Sequence, residues 1–340
     1  VKTRYTTGAV AIAVVGLMGV LFLGDPSPTG GPSSSGIDAL AETVPGEATD
    51  DVDANGPKAS DFIKPKSGKY LGVSLPTGAN ELAEFNKKTG TPANIQEEFV
   101  DFGERPPVAH VLDAYDKHAL TVLNWQPMDA PIASIVAGDQ DEYISGFASE
   151  LAQTGLPVGL VFASEFNTDW QPWGTDKATP EQYVAAWRRI HSLFTAAGAT
   201  DVIWIWAPNV INPVPKTPLK PFWPGDQYVD WIGMAAYWTP HLQEDSWETL
   251  IVPTKKRIQV FTNKPIVITE TGVLQGSRKI EWINAMFEGL ATDPDVLGLI
   301  YLNSGFAEGK RGDWTITKDA KSLAAWQAGA KKIKTVPVNN

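Results

Sequence analysis

The sequence predicts a (β/α)8 TIM barrel preceded by an N-terminal hydrophobic segment and a disordered linker. Three observations carry that expectation. From Lys69 onward, short apolar runs at 70–75, 96–102, 119–125, 157–162, 201–207, 229–237, 265–269 and 296–302 alternate with amphipathic stretches, the pattern of parallel strands joined by crossover helices. The first run is followed by Pro76-Thr-Gly-Ala-Asn80, not the glycine-rich phosphate turn that a doubly wound sheet would need there. Two of the runs end in a glutamate, Glu165 and Glu270, and a barrel brings the carboxyl ends of all its strands to one rim.

Each segment has its own local reason. Lys2 and Arg4 precede sixteen uncharged, apolar-to-small residues from 8 to 23, and the next charge is Asp25. This reads as an export signal over 1–24, either cleaved or retained as an anchor. The uncharged stretch 5–24 would be about 30 Å long as a helix, enough to span a bilayer. No clean Ala-x-Ala cleavage site follows, which favours the anchor. Residues 25–64 read as a linker: Pro26-Ser-Pro-Thr-Gly-Gly-Pro-Ser-Ser-Ser-Gly36 cannot bury enough apolar surface to order itself. From Asp25 to Pro57, Asp25 included, there are seven acidic residues and no basic one, which extends the chain further. The barrel is expected over 65–335. Its clearest helix is 179–197, with Thr179 as N-cap, Pro180 in the first turn and Gln182 completing a capping box. Tyr183, Trp187, Ile190 and Phe194 recur there at helical spacing, and Gly198 supplies the stop.

Composition narrows the function classes. The chain has 340 residues, 43% of them hydrophobic, so a large core needs no staples, and it has no cysteine for disulfides or thiol chemistry. The net charge of -11 and the lack of a basic stripe argue against nucleic acid as a partner. His110, His118, His191 and His241 have no metal-ligand spacing; no metal and no cofactor is expected. No Gly-x-Ser-x-Gly elbow occurs.

The two glutamates are the main candidates for chemistry. A carboxylate ending a buried strand is costly unless paired, and neither strand contains a Lys or Arg to pair it. Counting strands puts Glu165 after the fourth and Glu270 after the seventh. Retaining glycosidases need two carboxyls ~5–5.5 Å apart, one protonated and one ionised. Each glutamate alone could instead be structural. Trp125, Trp170, Trp173, Trp238 and Trp314 fall at or just after strand ends, where aromatic faces can stack on sugars. Asn167, Asn209, Asp226 and Asn303 lie in similar places and could bind hydroxyls. Trp187, Trp204, Trp206 and Trp231 are expected in the core.

Several segments carry a resemblance. Glu165-Phe-Asn-Thr-Asp-Trp170-Gln-Pro-Trp173-Gly174 resembles the strand-4 motif of glycoside hydrolase family 26, a β-mannanase-like family in the clan of retaining barrel glycosidases. Phe222-Trp-Pro-Gly-Asp226-Gln-Tyr-Val-Asp-Trp231-Ile-Gly233, followed by Tyr237-Trp238, is similar to its strand-6 region. Lys264-Pro-Ile-Val-Ile-Thr-Glu270-Thr-Gly272 is similar to its nucleophile strand, and Gly312-Asp-Trp314 to a segment beyond strand 8. The resemblance spans roughly 69–326. It implies Glu165 as acid/base, Glu270 as nucleophile, Tyr237 as a hydrogen-bond donor that keeps the nucleophile ionised, and Trp170 as a sugar platform. The family usually has a histidine before its acid/base; here that position is Ser164, a shorter side chain that puts substrate identity in question more than reaction class.

The expected protein is therefore a secreted or membrane-anchored retaining endo-β-glycosidase, a monomeric catalytic domain acting on a polysaccharide or oligosaccharide. The resemblance implies β-1,4-mannan as first substrate, with mixed-linkage β-glucan and xylan as minority activities. Two alternatives are an enzyme trimming the cell's own exported polysaccharide and a barrel that binds glycans without turnover.

Overall fold

A computed structural model of the chain describes residues 56–75, 79–212, 214–239, 246–305 and 312–338. The hydrophobic segment 1–24, the linker through residue 55 and His241 lie outside the described residues. Among the described residues no helix is long and apolar enough to cross a membrane.

The strands are β1 (Tyr70–Ser74), β2 (Ile95–Asp101), β3 (Leu120–Gln126), β4 (Val158–Phe162), β5 (Val202–Trp206), β6 (Trp231–Ile232), β7 (Ala235–Trp238), β8 (Ile266–Val273) and β9 (Val296–Leu302). All their pairings are parallel, in the order β6-β5-β4-β3-β2-β1-β9-β8-β7. A further pairing of Ile232 with Ile266 closes the sheet into a barrel. The run expected as one sixth strand is thus two pieces, β6 and β7, interrupted at Gly233-Met234. A Cβ on Gly233 would stand 2.6 Å from Ala207 Cβ and 2.8 Å from Thr269 Oγ1, so only glycine lets the strands approach there.

The helices are α1 (Ala59–Ile63), α2 (Ala79–Thr89), α3 (Val108–Asp116), α4 (Ile132–Ala137), α5 (Asp141–Ala152), α6 (Pro180–Ala196), α7 (Trp247–Leu250), α8 (Val252–Gln259), α9 (Lys279–Thr292) and α10 (Ala320–Ala330). In α6, Thr179 and Gln182 exchange both capping-box hydrogen bonds, and Gly198 follows with φ 81°. Between β5 and β6 the described residues hold two 3-10 turns, Lys220–Phe222 and Asp226–Tyr228, where a regular barrel has a helix.

Alternation along the strands sorts the apolar side chains into two layers. Leu71, Trp125, Phe162, Trp206, Trp238 and Tyr301 face the helices, while Tyr70, Ile95, Val122, Val161, Ile205, Trp231 and Ile300 fill the barrel interior. Trp187, Trp204, Trp206 and Trp231 are buried, as expected. The linker and domain boundaries move. Residues 59–63 were expected to be disordered, yet α1 buries Ala59 and Phe62 in the interior cluster, together with Val336 and Val338 beyond the expected end at 335. Tyr70 Oη donates to Phe62 O (2.7 Å) and Trp231 Nε1 to Ile63 O (2.9 Å). Ala59 and Phe62 together with these bonds seat the short helix at the amino-terminal ends of β1 and β6, opposite the rim that carries the glutamates, against the polar composition around it.

Candidate active site

Two local irregularities aim the glutamates inward. Glu165 lies just past β4, in the left-handed region at φ 56°, with Ala163 at 49°. A non-glycine residue held there costs about 1–3 kcal/mol and persists only where its surroundings fix it. They do: Glu165 N donates to Ala207 O (2.8 Å), and Thr168 donates to Glu165 O through both its backbone N–H (3.0 Å) and its hydroxyl (2.8 Å). On β8 strict alternation would fail. Ile266 and Ile268 face the helices and Val267 the interior, so Glu270 would point outward with the isoleucines. A register shift against β9 between Ile268 and Thr271 reverses the sense, and Glu270 turns into the barrel.

Around Glu165, the Oε2 atom accepts from Gln171 Nε2 (2.5 Å) and, more weakly, from Trp170 Nε1 (3.5 Å), while Oε1 accepts from the Asn209 side-chain amide. Asn209 is itself held by Asn167, whose Oδ1 accepts from Asn209 N (2.8 Å) and whose Nδ2 donates to Asn209 O (3.0 Å). Around Glu270, Asn124 Nδ2 donates to Oε1 (2.9 Å), Tyr237 Oη to Oε2 (3.2 Å), and the Ser164 hydroxyl also hydrogen-bonds the carboxylate. A third carboxyl, Glu97 on β2, shares the Asn124 amide at 3.3 Å. Glu97, Glu165 and Glu270 are 1, 2 and 3% exposed.

Burial governs the charge states. Desolvation, then the Glu270 charge, pushes Glu165 up to about 8 against the pull of its three donors. Desolvation also raises Glu270, opposed by Asn124, Ser164 and Tyr237. The asymmetry lies in the neighbours: the Glu270 charge raises both Glu97 and Glu165, and neither of theirs raises Glu270. Glu270 is therefore the carboxyl that ionises first, and the others hold their protons against it. Among the described residues no group of three or more His, Asp or Glu could hold a metal ion.

The sequence model of glycosyl hydrolase family 26 matches residues 122–319, which includes both Glu165 and Glu270. The chain belongs to glycosyl hydrolase family 26. Endoglucanase H of Acetivibrio thermocellus is 29% identical over 277 residues, covering 77% of this chain and 30% of that protein. A mannan endo-1,4-beta-mannosidase of Bacillus subtilis is 28% identical over 130 residues, covering 36% of this chain and 32% of that protein. The chain thus spans about a third of each of these relatives. A family 26 β-mannanase from Bacteroides ovatus superimposes with a TM-score of 0.62 at 16% identity, over 81% of this chain and 92% of that one; at that identity the likeness speaks for the shared barrel.

In this family 26 barrel only some of the expected site residues converge. Ser164, Tyr237, Trp170 and Asn209 touch one of the two glutamates, and Asn167 acts one step removed by clamping Asn209. Trp314 lies beside Tyr237 (ring centroids 5.0 Å apart), against Gly272, with its buried Nε1 lacking a hydrogen-bond partner among the described residues. Five of the expected residues spend their side chains elsewhere. Trp125 is fully buried against Phe102, Phe147 and Phe194, because it follows the inward-facing Asn124 by one residue and so points the other way. Trp238 follows Tyr237 in the same sense and packs on Trp282 (3.6 Å). Trp173 is buried, with Nε1 donating to Ser164 O (2.7 Å), so it braces the strand end instead of offering a face to sugar. Asn303 pins the chain after β9: its Oδ1 accepts from Ile316 N (2.9 Å), and its backbone N–H bonds Ser74 O (3.0 Å). Asp226 likewise serves its own loop, accepting from Trp223 Nε1 and Thr262 Oγ1 (both 3.2 Å).

The placement of Trp125 carries a prediction. Trp125→Ala should lower stability by about 3–5 kcal/mol, the cost of emptying a large buried site, with KM unchanged for any substrate the protein turns over. Thermal or urea unfolding beside steady-state kinetics tests this; a raised KM at unchanged stability would return Trp125 to the cleft.

Sequence reading missed Glu97, Asn124 and Gln171. The signal for Asn124 was present: a polar residue inside the apolar run Leu123–Trp125, where only a function or a buried partner justifies it. Glu97 was masked by Glu98 beside it, since adjacent charges read as a solvated edge.

Proposed function

We propose that this family 26 chain is a retaining endo-β-glycosidase, with Glu165 as general acid/base and Glu270 as nucleophile. The observation that carries the reading is the unequal coupling of two buried carboxyls on one rim, each with three donors: the Glu270 charge raises Glu165, which holds its proton to about 8, while no neighbouring carboxylate raises Glu270, which ionises first. In the first step the Glu270 carboxylate bonds to the anomeric carbon. The bond to the leaving oxygen breaks as Glu165 gives that oxygen its proton. In the second, a water loses a proton to the Glu165 carboxylate and its oxygen attacks the anomeric carbon, releasing Glu270. Gln171, Asn209 and Trp170 keep the Glu165 carboxyl from turning away between the steps.

The substrate we infer is a β-linked polysaccharide of glucan type. The match to an endoglucanase extends over 77% of this chain and that to a mannosidase over 36%, and the short Ser164, hydrogen-bonded to Glu270, stands where the family usually has a histidine. β-1,4-Mannan is the second reading, supported by the mannosidase match and by the activity first expected from the motifs. The hydrophobic segment 1–24 supports action outside the cell, where such polymers occur.

The test is release of reducing ends from mixed-linkage β-glucan, carboxymethylcellulose, β-1,4-mannan and β-xylan. Preferred cleavage of the glucans is the expected result; preferred cleavage of mannan reverses the ranking. No release from any, with retardation of the protein in polysaccharide-containing gels, would point to a barrel that only binds glycan.

A further inference from the structure

Glu97 has no part in the two-carboxylate scheme, yet it is the least exposed of the three acids and shares a donor with Glu270. The two hydrogens of Asn124 Nδ2 are divided between Glu97 Oε1 (3.3 Å) and Glu270 Oε1 (2.9 Å), and the Ser74 hydroxyl hydrogen-bonds Glu97 from β1. The groups that face it are Ser74 from β1, Asn124 from β3, Tyr237 from β7 and Glu270 from β8, with Glu165 on the same rim. Among the described residues no cation acts on it. Two like charges bridged by one neutral amide at a buried site would repel strongly, with only that amide between them to compensate.

We propose that Glu97 is a positioning residue for Glu270: it serves as a neutral carboxylic acid that anchors Asn124, so that the Asn124 amide holds the Glu270 carboxylate in one orientation for attack. The proposal rests on the reading of Glu270 as nucleophile. It gives Asn124 a fixed rotamer that a single contact to Glu270 would not impose, and the burial that raises Glu97 agrees with it. Gln, which is neutral and nearly isosteric, should replace Glu97; a side chain too short to reach Asn124 should not.

The experiment compares Glu97→Gln and Glu97→Ala with wild type in kcat, KM and the pH dependence of kcat/KM, with melting temperatures alongside. Glu97→Gln is expected to keep kcat within about threefold and to leave the acid limb in place, since one neutral group replaces another. Glu97→Ala is expected to lose about 10- to 100-fold in kcat, the value of a hydrogen bond to a charged group, with KM little changed. A fall of about one unit or more in the acid limb of Glu97→Gln would overturn the proposal, because removing a real negative charge would lower the pKa of Glu270. Loss of activity in Glu97→Gln, or wild-type activity in Glu97→Ala, would overturn it too. Should Glu97→Ala fail to fold, the pH profile of Glu97→Gln decides alone. Full activity in Glu270→Ala would instead sink the underlying mechanism, whatever the Glu97 variants do.

Discussion

Glu270→Ala should lower turnover of every substrate by roughly 10⁴- to 10⁶-fold, the scale on which enzymes lose rate when the group that forms the covalent bond is removed. No neighbour can replace it. Glu97 holds its proton, Glu165 is placed to act on the leaving oxygen, and Tyr237, Asn124 and Ser164 are donors. The cavity left by the missing carboxylate should admit small anions, so azide ought to restore turnover of an activated aryl β-glycoside and give the α-glycosyl azide, formed by attack from the emptied face. Proton NMR of the wild-type reaction should show β-product first from a β-substrate. Initial α-product, or a Glu270→Ala variant as active as wild type, would remove Glu270 from the nucleophile's role.

Glu165→Gln should reduce kcat on polysaccharide by about 10²- to 10⁴-fold, the usual worth of a positioned acid/base. The first step on a substrate whose leaving group needs no proton should be nearly spared, so that the glycosyl-enzyme accumulates. The pH profile gives a second, independent reading. Wild-type activity should decline as pH rises through about 8, where Glu165 loses its proton, and Glu165→Gln should lack that alkaline limb. The sign of the stability effect follows from the same shift. A carboxyl whose folded-state value lies above its ordinary 4.5 binds its proton more tightly in the folded chain, so folding loses stability as pH rises from about 4.5 towards 8. The amide has no such loss, and Glu165→Gln should melt above wild type near neutral pH while being far less active. Equal melting at pH 5 and 8 for wild type would count against a protonated Glu165.

How far the site could be read from the chain differs residue by residue. Glu165 and Glu270 stand out because a charge ends an apolar run with no cation in the same strand. Ser164, Trp170 and Tyr237 followed from motif resemblance, and each touches one of the pair. Trp125 and Trp238 were misassigned for a single reason: proximity to a strand end does not say which side of the sheet a ring is on. Their neighbours Asn124 and Tyr237 face in, and one residue along the strand is one face across the sheet. Trp173 and Asn303 sit at the right height but spend their polar atoms on backbone groups that hold the rim.

The amino-acid pattern by itself determined the barrel, the rank of each strand, the capped helix at 179–197 and the two glutamates at one rim, because these depend on periodicities and end signals that are local. Tertiary structure alone decided which way Glu270 points, since alternation from Val267 would send it outward and only the register shift against β9 brings it in. It also decided that three carboxyls share the cavity, that Asn124 bridges two of them, and that the Glu270 charge raises the other two while neither of theirs raises Glu270. Charge state depends on burial and on neighbours contributed by strands far apart in the chain, and no local pattern carries that information.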